Sequence, residues 1–181
     1  LREQLNEMAA AGEAFAEAAK AQEGAKLWES AERCFVASER WAEAGNAAQQ
    51  RALLGGDPKQ QSRDYARAAE HITKAGGNQD AVEALEQAVK LDPTADEIAT
   101  QLATRYANAG AWTELIELLS KRSQFISDKS KRVALRREAA ALAETKLADR
   151  DLSRELWLRV LDDGGDREAL EKLIEFATEH G

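Results

Sequence analysis

A single cysteine, Cys34, leaves this chain no internal disulfide and no cysteine-based metal site. Cys34 stands beside Phe35 on the apolar side of a predicted helix, where it reads as a small buried hydrophobe rather than a reactive thiol. Histidine is nearly as scarce: His71 and His180 are 109 positions apart, and the residue at i+4 from His71 is Ala75, so no second ligand shares its helical face. His71 therefore reads as solvated or structural. There are only 2 prolines, and β-branched and aromatic residues never gather at alternating spacing, which argues against strands and for helix throughout. No run approaches the roughly 20 apolar residues of a membrane-spanning helix, and the start LREQLNEMAAAGEAF lacks the order of a signal peptide. The glycine pairs at Gly55, Gly76 and Gly164 lack phosphate-loop spacing and its lysine. Carboxylate neighbours such as Glu83 with Glu86 are inevitable among 33 acids and carry no acid/base signal. No cofactor, metal site or catalytic constellation is implied.

Charge is present but uneven. Between Lys121 and Arg137 seven basic residues face one acid, Asp128, a local balance of +6 that leaves −14 for the rest of a chain of net −8. An acidic body with one basic stretch argues against general nucleic-acid binding and leaves room for a local acidic contact. Lys129, Lys131, Arg132, Arg136 and Arg137 fall at the start of a predicted long helix, where positive charge opposes the helix dipole. Compensation is expected either from Glu114 and Glu117 of the neighbouring helix or from an external acidic partner.

The apolar periodicity predicts about ten helices. Leu5, Met8, Gly12, Phe15 and Ala19 mark the first, over 1–24. Helix pairs follow over 25–58, 59–93, 94–126 and 127–164, with a terminal helix over 165–181 carrying Leu170, Leu173, Ile174 and Ala177 on one face. In LGGDP, Asp57 suits an N-cap and Pro58 the first helical position, since proline has no N–H to lose there. Asn78 is expected to cap the fifth helix, and Thr94 with Glu97 to form a capping box for the sixth.

Repetition says more than any one helix. Gly76 to Gly110 is 34 residues, Asn78 to Trp112 is 34, and Trp41 to Trp112 is 71. A period near 34 with two helices per unit marks a solenoid. Tyr65, Ala68, Ala69, Ile72, Gly76, Ala81, Leu85, Ala88 and Pro93 fill every slot of the tetratricopeptide (TPR) pattern, so this unit resembles that repeat family. The next unit matches with Leu102, Ala103, Tyr106, Gly110, Trp112, Leu115 and Leu119 but lacks the proline, and the flanking units match loosely. The resemblance implies an all-α, right-handed α-solenoid of antiparallel helix pairs forming one domain over 1–181.

What the resemblance implies for function is a protein-protein interaction scaffold, not an enzyme, whose first helices line a concave groove for a protein or peptide. Carried over by slot, that groove presents Arg33, Arg63, Glu70, Thr73, Lys74, Glu97, Thr100, Thr104 and Asn108, with Lys26 and Glu29 beside them. The slots of the family's chaperone-tail cradle hold Glu29, Arg33, Arg67, Glu97 and Gln101, which departs at nearly every place and argues against that role. Two alternatives stand beside the scaffold: a regulatory or substrate-recognition appendage of an enzyme in a longer chain, and a vesicle-fusion-adaptor-like helical protein, raised by WESAERCFVASERWAEAGNAA. The first residue, Leu1, and the apolar faces of the end helices suggest an internal segment of a longer repeat protein, or else self-association through those ends. Insertion into a membrane is not expected; compartment stays open, with the cytoplasm favoured. Since Ala81 fills a small slot opposite Ile72, Ala81→Glu is expected to lower the melting temperature sharply, and an unchanged thermal unfolding curve would refute the helix pairing.

Overall fold

Local stop and start signals set the helix borders. Asp57 caps the helix that begins with Pro58, its carboxylate accepting from the Lys59 N–H at 3.3 Å. Asp128 and Asp149 do the same for later helices, accepting from the N–H groups of Lys131 and Leu152 at 3.0 Å each. Gly76, with φ of 91°, lets the chain turn left-handed after Thr73, and the Gly77 N–H reaches back to the Ile72 carbonyl.

The computed structural model describes residues 2–164 and 166–178, and among these it holds ten α-helices, one π-helical turn and no strand. The helices are α1 (Arg2–Gln22), α2 (Ala25–Ala37), α3 (Trp41–Leu53), α4 (Pro58–Lys74), α5 (Asn78–Leu91), α6 (Asp96–Ala109), α7 (Trp112–Ser123), α8 (Lys129–Leu142), α9 (Arg150–Asp162) and α10 (Arg167–Thr178). None of the described helices is long and apolar enough to cross a membrane. The chain divides into two compact units, residues 2–102 and 103–178, with α6 contributing residues to both.

In the first unit each helix packs on the next, α1 on α2, α2 on α3, α3 on α4 and α4 on α5. Short turns between them make neighbours antiparallel. Small residues permit the close approach: Ala31, Ala44, Ala48, Ala52, Ala68, Ala81 and Ala88 are fully buried, and Trp28, Phe35, Ile72 and Leu85 fill the space they leave. A Cβ on Gly12 would lie 2.8 Å from the Phe35 ring, and one on Gly45 would lie 2.8 Å from Ile72 Cγ1 and 3.4 Å from the Ala68 carbonyl oxygen. The buried Ser62 hydroxyl donates to the Ala88 carbonyl at 2.7 Å, tying α4 to α5.

The second unit packs α7 on α8, α8 on α9 and α9 on α10. Its core is Leu115, Ile116, Leu119, Ala139, Ala140, Ala143, Leu156, Trp157 and Val160. The buried Ser153 hydroxyl donates to the Ala140 carbonyl at 3.1 Å, joining α9 to α8. α8 ends in a widened π-turn at Ala143–Leu147, and Ala148 reverses the chain in the left-handed region with φ of 52°.

Several local expectations are corrected. Gly77, not Asn78, occupies the cap position of α5; Asn78 is its first helical residue. Thr94 makes no capping box: its N–H and hydroxyl both donate to Asp92 Oδ1, at 3.0 and 2.6 Å, because an aspartate two residues upstream offers a shorter path than Glu97. Of the α1 stripe, Gly12 and Ala19 are buried but Met8 and Phe15 are exposed, since α1 has α2 on only one side. Leu170 and Ile174 of α10 are likewise exposed. Cys34 is only half-buried. His180 and Gly181 lie outside the described residues.

Because Gly45 leaves room for Ile72 and nothing larger, Gly45→Val is expected to cost about 1–3 kcal/mol through overpacking, read as a lower midpoint in urea.

Candidate functional site

Behind the helix faces of the first unit lies a charged network. Glu32 on α2 is 3% exposed, and its carboxylate is shared. Oε1 accepts from His71 Nε2 at 2.9 Å, and Oε2 accepts from the Arg51 guanidinium at 2.8 Å. The other arm of Arg51 donates to Asp64 Oδ1 at 2.7 Å, which also accepts from the Gln60 amide at 3.0 Å. Arg51 on α3 thus joins Glu32 on α2 to Asp64 on α4. His71 stacks on Trp41 with ring centroids 6.0 Å apart, and its Nδ1 has no hydrogen-bond partner among the described residues. Burial would raise the Glu32 pKa, but the His71 hydrogen bond and the charges of Arg51 and Arg67 outweigh it and hold the carboxylate below its ordinary range. Burial likewise opposes the charge on Arg51, and the bond to Asp64 with the charges of both acids raises its pKa above the usual value.

This network reaches the surface through Arg67, whose guanidinium lies 3.6 Å from Glu32 while its side chain is 49% exposed. Arg67 lines a groove of about 400 Å³ between α4 and α6, entirely within residues 2–102. Lys59, Arg63, Arg67 and Glu70 come from α4, Asp96, Glu97 and Gln101 from α6, and Asp92 from the turn between. One wall is mainly cationic and the other mainly acidic. Chemically the groove can hold hydrogen-bonding and oppositely charged groups along its two sides; it holds no cysteine, serine-histidine pair or histidine that would supply a nucleophile and base.

Of the residues expected in a groove, Arg63, Glu70 and Glu97 are brought together here. The others lie elsewhere or are spent locally. The Thr73 hydroxyl donates to the Ala69 carbonyl and the Thr100 hydroxyl to the Asp96 carbonyl, each at 2.7 Å. Lys74 Nζ sits 4.4 Å from the Trp41 ring centroid, and Arg33 reaches Ser30 at 3.5 Å. Thr104 and Asn108 belong to the second unit. Sequence reasoning missed the buried network, because Glu32, Arg51, Asp64 and His71 are scattered over 39 positions in a chain dense with charge. It also passed over Lys59 and Asp92. The signal for Arg67 was legible, since it stands four after Arg63 and three before Glu70 on one helical face.

The basic stretch is an internal fastening. Arg132 Nε donates to Asp163 at 2.8 Å, and its Nη1 donates to the Ile126 and Ser127 carbonyls at 2.9 and 3.2 Å. Arg136 lies 2.9 Å from Asp163 and also donates to the Arg159 carbonyl at 2.7 Å. Arg137 donates to Asp166 at 2.7 Å and lies 3.5 Å from Glu168. Lys129 reaches the Gly164 carbonyl at 3.4 Å, and Asp128 caps the helix through Lys131 N–H. Burial would raise Asp166, but the Ala169 N–H and Arg137 hold it below the ordinary carboxylate range. The compensating acids are therefore Asp163 and Asp166 from the turn between α9 and α10, and Glu168 from the first turn of α10, not Glu114 and Glu117; Glu117 instead pairs with Lys121 on its own helix, at 2.8 Å.

Two outcomes follow from these pairings. Since the folded Glu32 pKa is depressed, its stabilisation is present above the unfolded carboxylate value and disappears as pH falls through the folded one. The melting temperatures of the parent and Glu32→Gln should therefore differ clearly at neutral pH and converge only as the pH falls below the ordinary glutamate range. Asp163→Ala, which strips two half-buried guanidiniums of a shared acceptor, should destabilise the second unit by about 1–3 kcal/mol in chemical denaturation.

No protein-family model matches the chain, and no curated protein matches it. Among solved structures it is similar to YrrB, a TPR protein with an unusual peptide-binding site, at 19% identity and a TM-score of 0.47, covering 93% of this chain and 84% of that one. It is similar to MamA at 16% identity and a TM-score of 0.46, covering 90% and 93% of the two chains. A third is the C-terminal part of a TPR repeat-containing protein from Cytophaga hutchinsonii, at 16% identity and a TM-score of 0.44, covering 100% and 78%. What the structure itself establishes, among the described residues, is ten α-helices and no strand, with consecutive helices packed on one another within each unit.

Proposed function

We propose that this protein is a non-enzymatic interaction scaffold that holds a segment of a protein partner in the groove between α4 and α6. The observation that carries the reading is the two-sided charge of that groove: Lys59, Arg63 and Arg67 along one helix, and Asp92, Asp96 and Glu97 across from them. A polypeptide carries both signs of charge and a backbone of alternating donors and acceptors, so it can satisfy both walls at once. A bare nucleic-acid backbone, with one sign only, would meet the acidic wall unfavourably. The floor includes Ala66, which is nearly buried, and Ile98, so the occupant can also bury a small apolar side chain.

Arg67 gives the groove a fixed feature. Its guanidinium is held toward Glu32, and an ordered donor loses less freedom when a partner binds than a free lysine would. The same tie places a cost on partners that would pull Arg67 away.

The test is affinity capture with the intact gene product, comparing the parent with the double charge reversal Arg63→Glu and Glu97→Lys. Arg63 and Glu97 are exposed, so thermal stability should hold within a few degrees. Captured proteins should fall by roughly tenfold or more, as loss of two rim charges and gain of two repulsive ones implies. An unchanged set of captured proteins would overturn the assignment of this groove.

A further inference from the structure

α4 has a second groove on its opposite side, and the two are built differently. Tyr65 and Ile72 of α4 point away from Arg63, Arg67 and Glu70, lying about half a turn around the helix at 100° per residue, and Ala75, which caps the helix, follows on their side. With α3 and α5 they bound a groove of about 600 Å³. Both α3 and α5 run antiparallel to α4, so they are parallel to one another, with Ala42 and Asp80 toward one end and Gln49 and Gln87 toward the other.

The floor is small or apolar, made by Ile72, Ala75, Gly77 and Ala84, which allows a main chain to lie close against it. The walls carry neutral amides, Asn46 and Gln49 on α3 and Gln87 on α5, each a donor and an acceptor together. No side-chain hydrogen bond within the described residues engages Asn46, Gln49 or Gln87, in contrast to Arg51 on α3, which donates to Glu32 and Asp64. Asp80 and Glu83 stand one helical turn apart at the other end; Glu83 Oε1 accepts only a long 3.5 Å bond from the exposed Gln79 amide, and no cation of the described residues pairs with either acid.

We infer that the groove between α3 and α5 is a second binding surface, for a short extended polypeptide segment whose arginine is taken by Asp80 and Glu83. The amides suit an extended backbone, because each can match one donor and one acceptor of a peptide unit without regard to side-chain identity. From Asp80 to Gln87 the helix rises about 10 Å, enough for about three extended residues. Two carboxylates a turn apart match the fork of a guanidinium better than the single point of an ammonium. This surface does not depend on the groove between α4 and α6, so the scaffold has two unlike faces on one helix.

The test is a titration of the full chain, isotope-labelled for NMR, with the tetrapeptide acetyl-Ala-Arg-Ala-Ala-amide. The side-chain amide signals of Asn46, Gln49 and Gln87 should shift saturably, with a dissociation constant in the millimolar range or tighter. The double variant Asp80→Asn, Glu83→Gln, both at exposed positions, should keep its melting temperature and weaken binding at least about fivefold. The same peptide with glutamate in place of arginine should give no saturable shift. Three results would overturn the inference: shifts confined to Arg63, Glu70 and Glu97, equal responses to the two peptides, or no saturation up to about 10 mM.

Discussion

Arg51 is the side chain on which the arrangement of the first unit depends. It donates to Glu32 with one arm and to Asp64 with the other, and all three side chains are more than nine-tenths buried. A guanidinium taken out of water is tolerated only when acceptors stand where its fork points, and the packing of α2, α3 and α4 sets Glu32 and Asp64 against the two arms of Arg51 while its Nε stays buried without a partner among the described residues. Apolar packing alone is more permissive. Alanines can slide past one another with little penalty, and this interface is rich in them. The ion network and the close contacts of Gly12 with Phe35 and Gly45 with Ile72 therefore divide the work: small residues bring the helices near, and charges fix the register.

The consequence is felt at both surfaces of α4. On one side Glu32 draws Arg67 toward the buried network and so sets a donor at the wall of the charged groove. On the other, Ile72 is wedged where Gly45 and Gly77 leave space, and its remaining face forms the floor of the amide-lined groove. His71, next to Ile72 in sequence, is bonded to Glu32 and stacked on Trp41. α4 thus presents charged side chains, Arg63, Arg67 and Glu70, to one groove, and Tyr65 and Ile72 to the other, whose amides come from α3 and α5.

In the second unit the same principle appears with the polarity of sequence reversed. Three arginines early in α8 turn back to acids in the turn after α9, and a stretch that looks like an external patch becomes a clasp. Its local charge excess is real, but Asp163 at 10% side-chain exposure and Asp166 at 6% take up most of what it could offer an outside ligand. Ser153, giving its hydroxyl to Ala140, is a neutral counterpart on the inner side of the same helices.

Much of the fold was legible in the sequence because its determinants are local. Glycines at fixed intervals, Asp57 before Pro58 and stripes at three and four residue spacing each act within one turn or one helix pair, so their meaning survives without coordinates. The site was only partly legible. Arg63, Glu70 and Glu97 could be named from their slots, but Thr73 and Thr100 could not be known to turn their hydroxyls onto their own helices. Nor could Glu114 be distinguished from Asp163 as the counterion of the basic stretch, since pairing across 31 positions depends on which helices meet. By itself the sequence determined that the chain is helical, that its helices pair, and which small and bulky residues lie between them. Only the tertiary structure decided which charges are buried and joined, because a side chain's partner is set by packing geometry and desolvation, and neither is written in spacing along the chain.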